Sequence, residues 1–307
     1  MRIFVTGASG WIGSALVPEL IEAGHQVLGL ARSTASAEAL TAAGAEVVRG
    51  TVDDLDLLGT TAAASDGVVH LAFKHDVAFT GDYKGAAEAD RRAVDTFGDA
   101  LAGSDRPFVL ASGLAGLKPG QVSTERDLPT IDGSPTSLRA VTSTAALALA
   151  SRGVRSSVVR LAPTCHGEGD NGFMATLVGI ARAKGVSGYI GDGANRWAAV
   201  HRLDAARLFR LAVEKAPAGA VLHGAAEEGV AIRDVAEVIG RHLDVPVTSV
   251  TPEAAAEHFG WLGDFLGLDA PASSALTQES LDWRPTRPDL LEDLAKGHYF
   301  SGSAGAA

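Results

Sequence analysis

The chain has 307 residues, 46% of them hydrophobic and 21% charged, with a formal net charge of −11. Such a composition is ordinary for an enzyme with a substantial core, and the negative charge disfavours nucleic acid and anionic membranes as partners. The single cysteine, Cys165, excludes an internal disulfide and fits a reducing compartment. No basic leader follows Met1, and no uncharged apolar run reaches the roughly 20 residues of a membrane helix. We therefore expect a cytoplasmic protein with no membrane partner.

A glycine-rich turn follows the first predicted strand, residues 2–6. Gly7, Gly10 and Gly13 are spaced so that the strand turns tightly into a helix and its backbone approaches a phosphate. The free N–H groups of the first helical turn then face that anion. An ordinary strand–turn–helix is the alternative, but the strand before and the helix after favour a dinucleotide site. The residues that we assign to this site are Gly7, Ser9, Gly10, Trp11, Ile12 and Gly13.

Strands and helices alternate along the chain after this turn. Further strands are predicted at 27–31, 46–48, 67–72, 107–111 and 157–161. Helices are predicted at 87–102, 136–151, 203–213, 232–243 and 253–267. This alternation predicts an α/β fold with a Rossmann-type, doubly wound parallel sheet, whose ligands bind at the carboxyl ends of the strands.

The alternation loosens after residue 165, where glycines cluster. We predict a dinucleotide-binding Rossmann domain over 1–165, to which 193–223 returns, and a smaller C-terminal substrate lobe over 166–192 and 224–300. The small and polar residues of 301–307 predict a disordered tail.

The end of the second strand distinguishes between the two nicotinamide cofactors. A carboxylate about 20 residues after the start of the glycine turn would bind the ribose 2′-hydroxyl of NAD. No Asp or Glu occurs from Ala23 to Ala37, and Arg32 and Ser33 stand there instead. An arginine at this place accommodates the 2′-phosphate of NADP, although a solvated arginine at a helix start is the alternative. We predict NADP(H) as the cofactor.

The order of the motifs resembles the short-chain dehydrogenase/reductase superfamily, particularly its extended epimerase/dehydratase-like branch. The matching segments are residues 6–13, 70–72, 110–112, 160–164, 200–204 and 281–285. The resemblance implies a small-molecule substrate and a homodimer that pairs through the helices at 87–102 and 136–151. It also implies that the strand ends flank the cofactor, and the residues there are Leu71, Ala72, Ala111, Thr164 and Cys165.

The catalytic Tyr-x-x-x-Lys pair of that superfamily is absent. None of the three tyrosines, Tyr83, Tyr189 and Tyr299, has a lysine four residues later. Arg139 and Ser143 occupy the positions where the tyrosine and lysine should open their helix. In the usual site the tyrosine protonates an oxygen while the lysine lowers the pKa of the phenol, so neither function carries over.

Two residues remain as candidates at this catalytic position. Ser112 ends the fifth strand, but Gly113 occupies the next position, where the superfamily's catalytic hydroxyl more often lies. The pKa of an arginine is too high for proton donation at neutral pH, so Arg139 either pairs with a carboxylate or binds a polar group of the substrate.

Histidine, aspartate and tyrosine side chains supply the other candidates. His75 and Asp76 follow the fourth strand, where a histidine can donate a proton and an aspartate can orient it, although a surface pair is an equal alternative. His166 follows the sixth strand, near the expected nicotinamide carboxamide. Tyr189 lies in a glycine-rich segment that we expect to line the pocket. No histidine spacing is typical of a metal site, so we predict no catalytic metal.

We hypothesise that the protein is an NADPH-dependent reductase, and the missing tyrosine indicates which bond it reduces. A cyclic imine can arrive protonated, so reduction of its C=N bond needs no strong acid, only a site that tolerates a cation. Asp76, Glu168 and Asp170 would favour that cation, with His75 or His166 as the proton relay. Reduction of a C=O bond is the close second. A non-catalytic NADP(H)-binding sensor and an epimerase/dehydratase-like enzyme remain as alternatives.

Overall fold

The computed structural model describes residues 1–78, 80–114 and 116–301. The predicted tail beyond Ser301 therefore lies outside the described residues. Within them the strands are β1 (Arg2–Thr6), β2 (Gln26–Ala31), β3 (Glu46–Arg49), β4 (Gly67–His70), β5 (Pro107–Gly113), β6 (Arg155–Leu161), β7 (Thr164–His166), β8 (Ser187–Ile190), β9 (Arg196–His201), β10 (Ala220–Gly224), β11 (Glu227–Ala231) and β12 (Val247–Val250).

The α-helices alternate with these strands in the first half and cluster near the C-terminus. They are α1 (Gly13–Glu22), α2 (Thr34–Ala42), α3 (Leu55–Ala63), α4 (His75–Ala78), α5 (Tyr83–Leu101), α6 (Pro135–Ala148), α7 (Phe173–Lys184), α8 (Arg202–Lys215), α9 (Ile232–Leu243), α10 (Ala255–Phe259), α11 (Gly263–Leu266), α12 (Ala275–Leu281) and α13 (Leu290–Ala295). Across the part of the chain that the structure describes, none of them combines the length and apolar content needed to cross a membrane.

A seven-stranded sheet forms the centre of the fold, in the order β10-β6-β5-β4-β1-β2-β3. Each pair of neighbours in it is parallel, which confirms the predicted doubly wound sheet. The strand order reverses beside β1, because β2 lies on one side of it and β4 on the other. In sheets of this type, the crevice at such a reversal is where ligands bind.

Helices cover both faces of this sheet, so its strands are apolar on both sides. Ile3 and Val5 of β1 pack into a core cluster with Leu16 of α1. Phe4, which points to the opposite face, packs into a second cluster with Phe97 of α5. The alternation of side chains along β1 therefore joins the two layers of helices through one strand.

A third apolar cluster lies outside the large sheet. It is built on a three-stranded sheet, β11-β9-β7, and a two-stranded sheet, β12-β8. Residues of α7 and α9 fill its core, including Leu177, Val178 and Ile239, together with Trp197 of β9. The return of the chain to the large sheet is made by β10, which pairs with β6. The predicted domain boundaries stay a prediction.

Two predicted elements differ from the observed ones. The strand predicted at 67–72 ends at His70, and the chain after it passes close to Gly7, where a Cβ would lie 2.8 Å from the Ala72 nitrogen. The helix predicted at 253–267 is broken into short pieces around Gly260, whose φ is +59°. A left-handed residue cannot continue a right-handed helix.

Candidate active site

The glycine turn at the end of β1 has the geometry of a phosphate cradle. Gly7 has a φ of +66°, and its carbonyl accepts a hydrogen bond of 2.9 Å from the Gly10 N–H. A Cβ on Gly13 would lie only 2.1 Å from the Gly7 oxygen, so a side chain there would collide with backbone. No side chain caps the start of α1 at Ile12. The N–H groups of Trp11, Ile12 and Gly13 have no hydrogen-bond partner among the described residues, so they are left for an anion, and the turn fits a pyrophosphate.

Trp11 joins this turn to the loop that follows β7. Its indole N–H donates a 2.9 Å hydrogen bond to the Cys165 carbonyl, and the guanidinium of Arg202 lies 4.0 Å above its ring. Arg202 also donates to the Ser14 hydroxyl at 2.9 Å. Burial raises the pKa of the Cys165 thiol to about 12, which leaves it protonated and unreactive. Cys165 therefore contributes its backbone to the site.

Basic side chains gather where the adenosine ribose would lie. Arg32 follows β2, and its guanidinium pairs with the Asp76 carboxylate at 2.9 Å. The hydrogen bond from Arg32 lowers the pKa of Asp76. Arg49, at the end of β3, donates to the Ser33 carbonyl at 2.6 Å, and the Ser33 hydroxyl caps α2. Asp76 therefore lies at the end of the site that sequence reasoning assigned to the 2′-phosphate.

Arg49 and Lys74 were missed by the sequence reasoning. Lys74 pairs with Asp53 at 2.6 Å and follows β4 in the chain. Both residues could have been found from their positions, because each lies at the carboxyl end of a strand that is predicted from the sequence. With Arg32, they make three basic side chains at this end of the sheet.

The hydroxyl and guanidinium groups of α6 converge on the end of β5. Arg139 donates a hydrogen bond of 2.7 Å to the Ala111 carbonyl. Ser143, one turn later, donates to the Ser112 hydroxyl at 2.9 Å. The structure thus brings together the two residues that replace the tyrosine and the lysine, and it places both beside Ser112.

A buried polar chain leads from β1 to Arg139. The Thr6 hydroxyl lies 2.6 Å from Nδ1 of His70, and Nε2 of His70 lies 3.2 Å from one oxygen of Asp90. The other Asp90 oxygen is 4.0 Å from the Arg139 guanidinium and has no hydrogen-bond partner among the described residues. Asp90 is only 4% exposed, so Arg139 is the cation that balances its charge.

Phe73 packs against the guanidinium of Arg139 and against two further side chains. The guanidinium lies 4.2 Å above the ring of Phe73, and the same ring contacts His75 at 5.0 Å and Tyr83 at 5.7 Å between centroids. Desolvation, followed by the charge of Arg139, lowers the pKa of His75, so its imidazole is neutral at pH 7. The sequence did not make Tyr83 a candidate, because no lysine lies four residues after it.

His166 lies in a separate buried cluster. Its Nδ1 is 3.0 Å from Asp293 of α13, and its ring packs edge-on against His201 at 5.3 Å. Tyr299 donates to the Asp170 carboxylate at 3.0 Å and accepts from the Gly167 N–H. Burial raises the pKa of Asp170. These contacts fasten the chain after β7 to the C-terminal segment, and the proton relay assigned to His166 stays a prediction.

Tyr189 contributes to the third apolar cluster. Its ring lies under Arg233 at 5.3 Å, and Gly193 packs closely against it. Nothing in the described residues connects it with Ser112 or Arg139, so its assignment to the pocket stays a prediction. His70 is a core histidine, since it is 1% exposed and hydrogen-bonded on both nitrogens.

The chain belongs to the NAD dependent epimerase/dehydratase family. The family's model matches residues 3–223, a range that holds the glycine turn, Ser112 and Arg139. A protein of Schizosaccharomyces pombe, described only as uncharacterized, is 48% identical over 301 residues, which are 98% of this chain and 100% of that protein. The resemblance to the extended epimerase/dehydratase-like branch is thereby confirmed.

Two further proteins that this chain resembles have named activities. Sterol-4-alpha-carboxylate 3-dehydrogenase, decarboxylating, of Dictyostelium discoideum is 28% identical over 243 residues, which are 76% of this chain and 73% of that protein. The structure of DesIV, a dTDP-glucose 4,6-dehydratase of Streptomyces venezuelae with NAD bound, matches with a TM-score of 0.77 at 21% identity. That match covers 97% of this chain and 96% of DesIV. The family is NAD dependent by its description, and the match to DesIV shows that the two proteins share a fold.

We expect acid to destabilise the fold through His201. Burial, and then the charge of His166, lowers the pKa of His201 from 6.5 to about 4, and its Nδ1 accepts the Leu203 N–H at the start of α8. The unfolded chain therefore binds the extra proton first, so the free energy of unfolding should fall as the pH drops from 6.5 towards 4. Urea unfolding across this range measures the slope.

Two variants give this experiment its controls. His201→Asn keeps a side chain that can cap the helix but cannot titrate, so it should flatten the slope. Leu203→Ala keeps the histidine and the N–H that it accepts, so it should retain the wild-type slope. Equal slopes in His201→Asn and the wild type would contradict the assignment.

Proposed function

We propose that the protein is an NADPH-dependent reductase that transfers hydride to a C=O or C=N bond of a small molecule, and that C=O is the favoured acceptor. The observation that carries this proposal is Arg139, a fixed guanidinium that donates to the Ala111 carbonyl beside the Ser112 hydroxyl. A bound nicotinamide dinucleotide supplies the hydride. The residues of this chain then determine which acceptor is stabilised.

A permanent cation next to Ser112 favours an oxygen that gains negative charge. Donors directed at a developing oxyanion stabilise the transition state, and the loss of one such donor costs about 10²–10³ in rate. A protonated imine would instead meet the charge of Arg139. Two carboxylates expected to attract that imine have other partners, since Asp76 pairs with Arg32 and Asp170 accepts from Tyr299. These contacts support C=O over C=N.

The serine pair gives the oxygen of the substrate a further partner. The Ser143 hydroxyl lies 2.9 Å from the Ser112 hydroxyl and 3.0 Å from the Arg139 carbonyl, and these contacts hold the Ser112 hydroxyl at the end of β5. Arg139 and Ser112 together would orient a carbonyl group at the end of β5. We assign orientation to Ser112, and charge stabilisation to Arg139.

An epimerase/dehydratase-like activity is the second candidate, and the family itself favours it. DesIV, a dehydratase, shares the fold over nearly the whole chain. In such a reaction the substrate is oxidised and reduced again, so the cofactor shows no net change. Net oxidation of NADPH therefore separates the two candidates.

The basic side chains at the adenosine end support NADP(H) over NAD(H). Arg32 and Arg49 lie beside Ser33 at the start of α2. The sequence has no Asp or Glu from the end of β2 to Ala37. The bond between Arg32 and Asp76 is exposed, with side-chain exposures of 70% and 58%, so a phosphate can replace the carboxylate at little cost. The helix start adds a favourable field for that phosphate.

We also propose a homodimer that pairs through α5 and α6. Val141 of α6 is 37% exposed, although it lies in the middle of that helix. Thr144 and Ala148 are exposed on the same side, one and two turns further on. The exposed side of α5 is charged, with Arg91 bonded to Asp95. A two-fold axis beside α6 would cover the apolar positions.

We expect Arg32→Ala to weaken NADPH binding about 10- to 100-fold, the loss of a charged hydrogen bond to phosphate, and to change NADH binding little. Fluorescence titration of both cofactors measures the dissociation constants. Arg241→Ala, an exposed arginine of α9, is the matched control and should bind both as the wild type does. Equal affinities of the wild type for NADPH and NADH would refute the cofactor preference.

The reaction is tested by NADPH oxidation with bulky ketones and their cyclic imine analogues across pH. We expect ketone turnover, which Arg139→Gln lowers about 10²-fold or more because it removes the charge at the oxygen. Arg139→Lys should retain part of the rate, and Arg152→Ala, on the surface, should retain all of it.

Each result that contradicts the proposed C=O reduction would support a different function. Turnover of the imines alone would overturn the preference for C=O. Redox-neutral conversion of a substrate would establish the epimerase/dehydratase-like candidate. Binding of NADPH without turnover of any compound would support the sensor.

The dimer is tested by light scattering at micromolar concentration. We expect twice the mass of the chain for the wild type, and the mass of one chain for Val141→Asp, because a charge would be buried in the interface. Arg241→Ala, an exposed position of α9 outside both helices, should leave the mass unchanged. A monomeric wild type would refute the dimer.

A further inference from the structure

We infer that Tyr83 is the proton donor of the proposed reduction. Its phenol acts with the guanidinium of Arg139, whereas the tyrosine of the superfamily's Tyr-x-x-x-Lys pair acts with a lysine on its own helix. This inference rests on the proposed reductase function. It supplies the acid that the sequence lacks at position 139. It also assigns a role to a tyrosine that the missing motif had left without one.

One aromatic ring connects the phenol with the guanidinium. Phe73 contacts Tyr83 at 5.7 Å between ring centroids and carries the Arg139 guanidinium 4.2 Å above its face. Arg139 in turn donates to the Ala111 carbonyl, next to Ser112. Two packing contacts and one hydrogen bond therefore link the Tyr83 ring to the end of β5.

The start of α5 holds Tyr83 in this place. Asp82 caps the helix and accepts a 2.8 Å hydrogen bond from the Gly85 N–H. Seven residues later the same helix carries Asp90, which pairs with Arg139 and contacts His70. The helix thus positions the tyrosine and the counter-ion of the arginine as one rigid unit.

The electrostatics suit an acid at neutral pH. Burial raises the pKa of Tyr83, while the charge of Arg139 lowers it and that of Asp90 raises it. The phenol therefore keeps its proton until an acceptor with higher affinity forms. Once the proton has left, Arg139 stabilises the phenolate. Among the described residues the Tyr83 hydroxyl forms no hydrogen bond, so it is available to a substrate.

The proton and electron balance is complete with the groups named. The carbonyl carbon gains a hydride with its electron pair, and the C=O π pair moves to the oxygen. That oxygen forms a bond to the Tyr83 proton as the phenolic O–H bond breaks. The products are an alcohol, the oxidised cofactor and a phenolate. Tyr83 is only partly buried, so water can return its proton.

The kinetic test uses Tyr83→Phe, which keeps the ring that packs on Phe73 and removes only the hydroxyl. We expect kcat for a ketone to fall about 10²- to 10⁴-fold, the range of general acid catalysis, with the NADPH dissociation constant unchanged. Lys84→Ala changes the neighbouring, exposed position of the same helix and should keep the wild-type kcat. A wild-type kcat in Tyr83→Phe would overturn the inference.

A second test needs no substrate. The chain has only three tyrosines, so labelling each phenol carbon with ¹³C gives few NMR signals, and Tyr83→Phe identifies the one of interest. We expect the Tyr83 titration midpoint to rise by at least about 0.5 pH unit in Arg139→Gln, and to stay near the wild-type value in Arg139→Lys.

These two readouts separate the inference from the function on which it rests. An unchanged midpoint in folded Arg139→Gln would overturn the pairing of Tyr83 with Arg139, even in an active reductase. No turnover by wild-type protein saturated with NADPH would overturn the reductase, and the acid role with it. A shifted midpoint together with a lowered kcat is the result expected of the proposed acid.

Discussion

The buried chain from Thr6 through His70 and Asp90 to Arg139 is the constraint on which the site depends. Its members come from β1, β4, α5 and α6, and the first two contacts measure 2.6 and 3.2 Å. A carboxylate buried without a cation costs several kcal/mol, so Asp90 requires the guanidinium 4.0 Å away. The same electrostatic requirement that completes the core therefore holds a cation at the end of β5.

This arrangement explains why the tyrosine and the lysine are replaced together. Arg139 brings a permanent charge to the position where the superfamily has its tyrosine. A lysine at position 143 would therefore add a second cation near a single balancing carboxylate, Asp90. Like charges at such distances oppose ionisation. Ser143 avoids that repulsion and gives Ser112 a hydrogen-bond partner. The positive charge of the site is kept, but it moves one helical turn earlier.

The two ends of the cleft differ in how firmly their charges are held. Arg139 is 18% exposed, and its carboxylate partner is buried. Arg32 is largely exposed, and its bond to Asp76 is of the kind that contributes little to stability. Under the proposed function, a ligand phosphate exchanges with Asp76, whereas a substrate fits the fixed position of Arg139. Binding is then adaptable at the adenosine end, and orientation is enforced at the reacting end.

The sequence by itself determined the local features: the glycine turn, the first six strands of the parallel sheet, the family and the loss of the tyrosine–lysine pair. These follow from spacing and hydrophobic pattern, which act over a few residues. Only the tertiary structure decided that Asp76 faces Arg32, that Asp90 balances Arg139, and that Phe73 packs against both Arg139 and Tyr83. Such contacts join residues that are distant in sequence, because parallel strands bring their carboxyl ends to one edge while the crossovers between them are long.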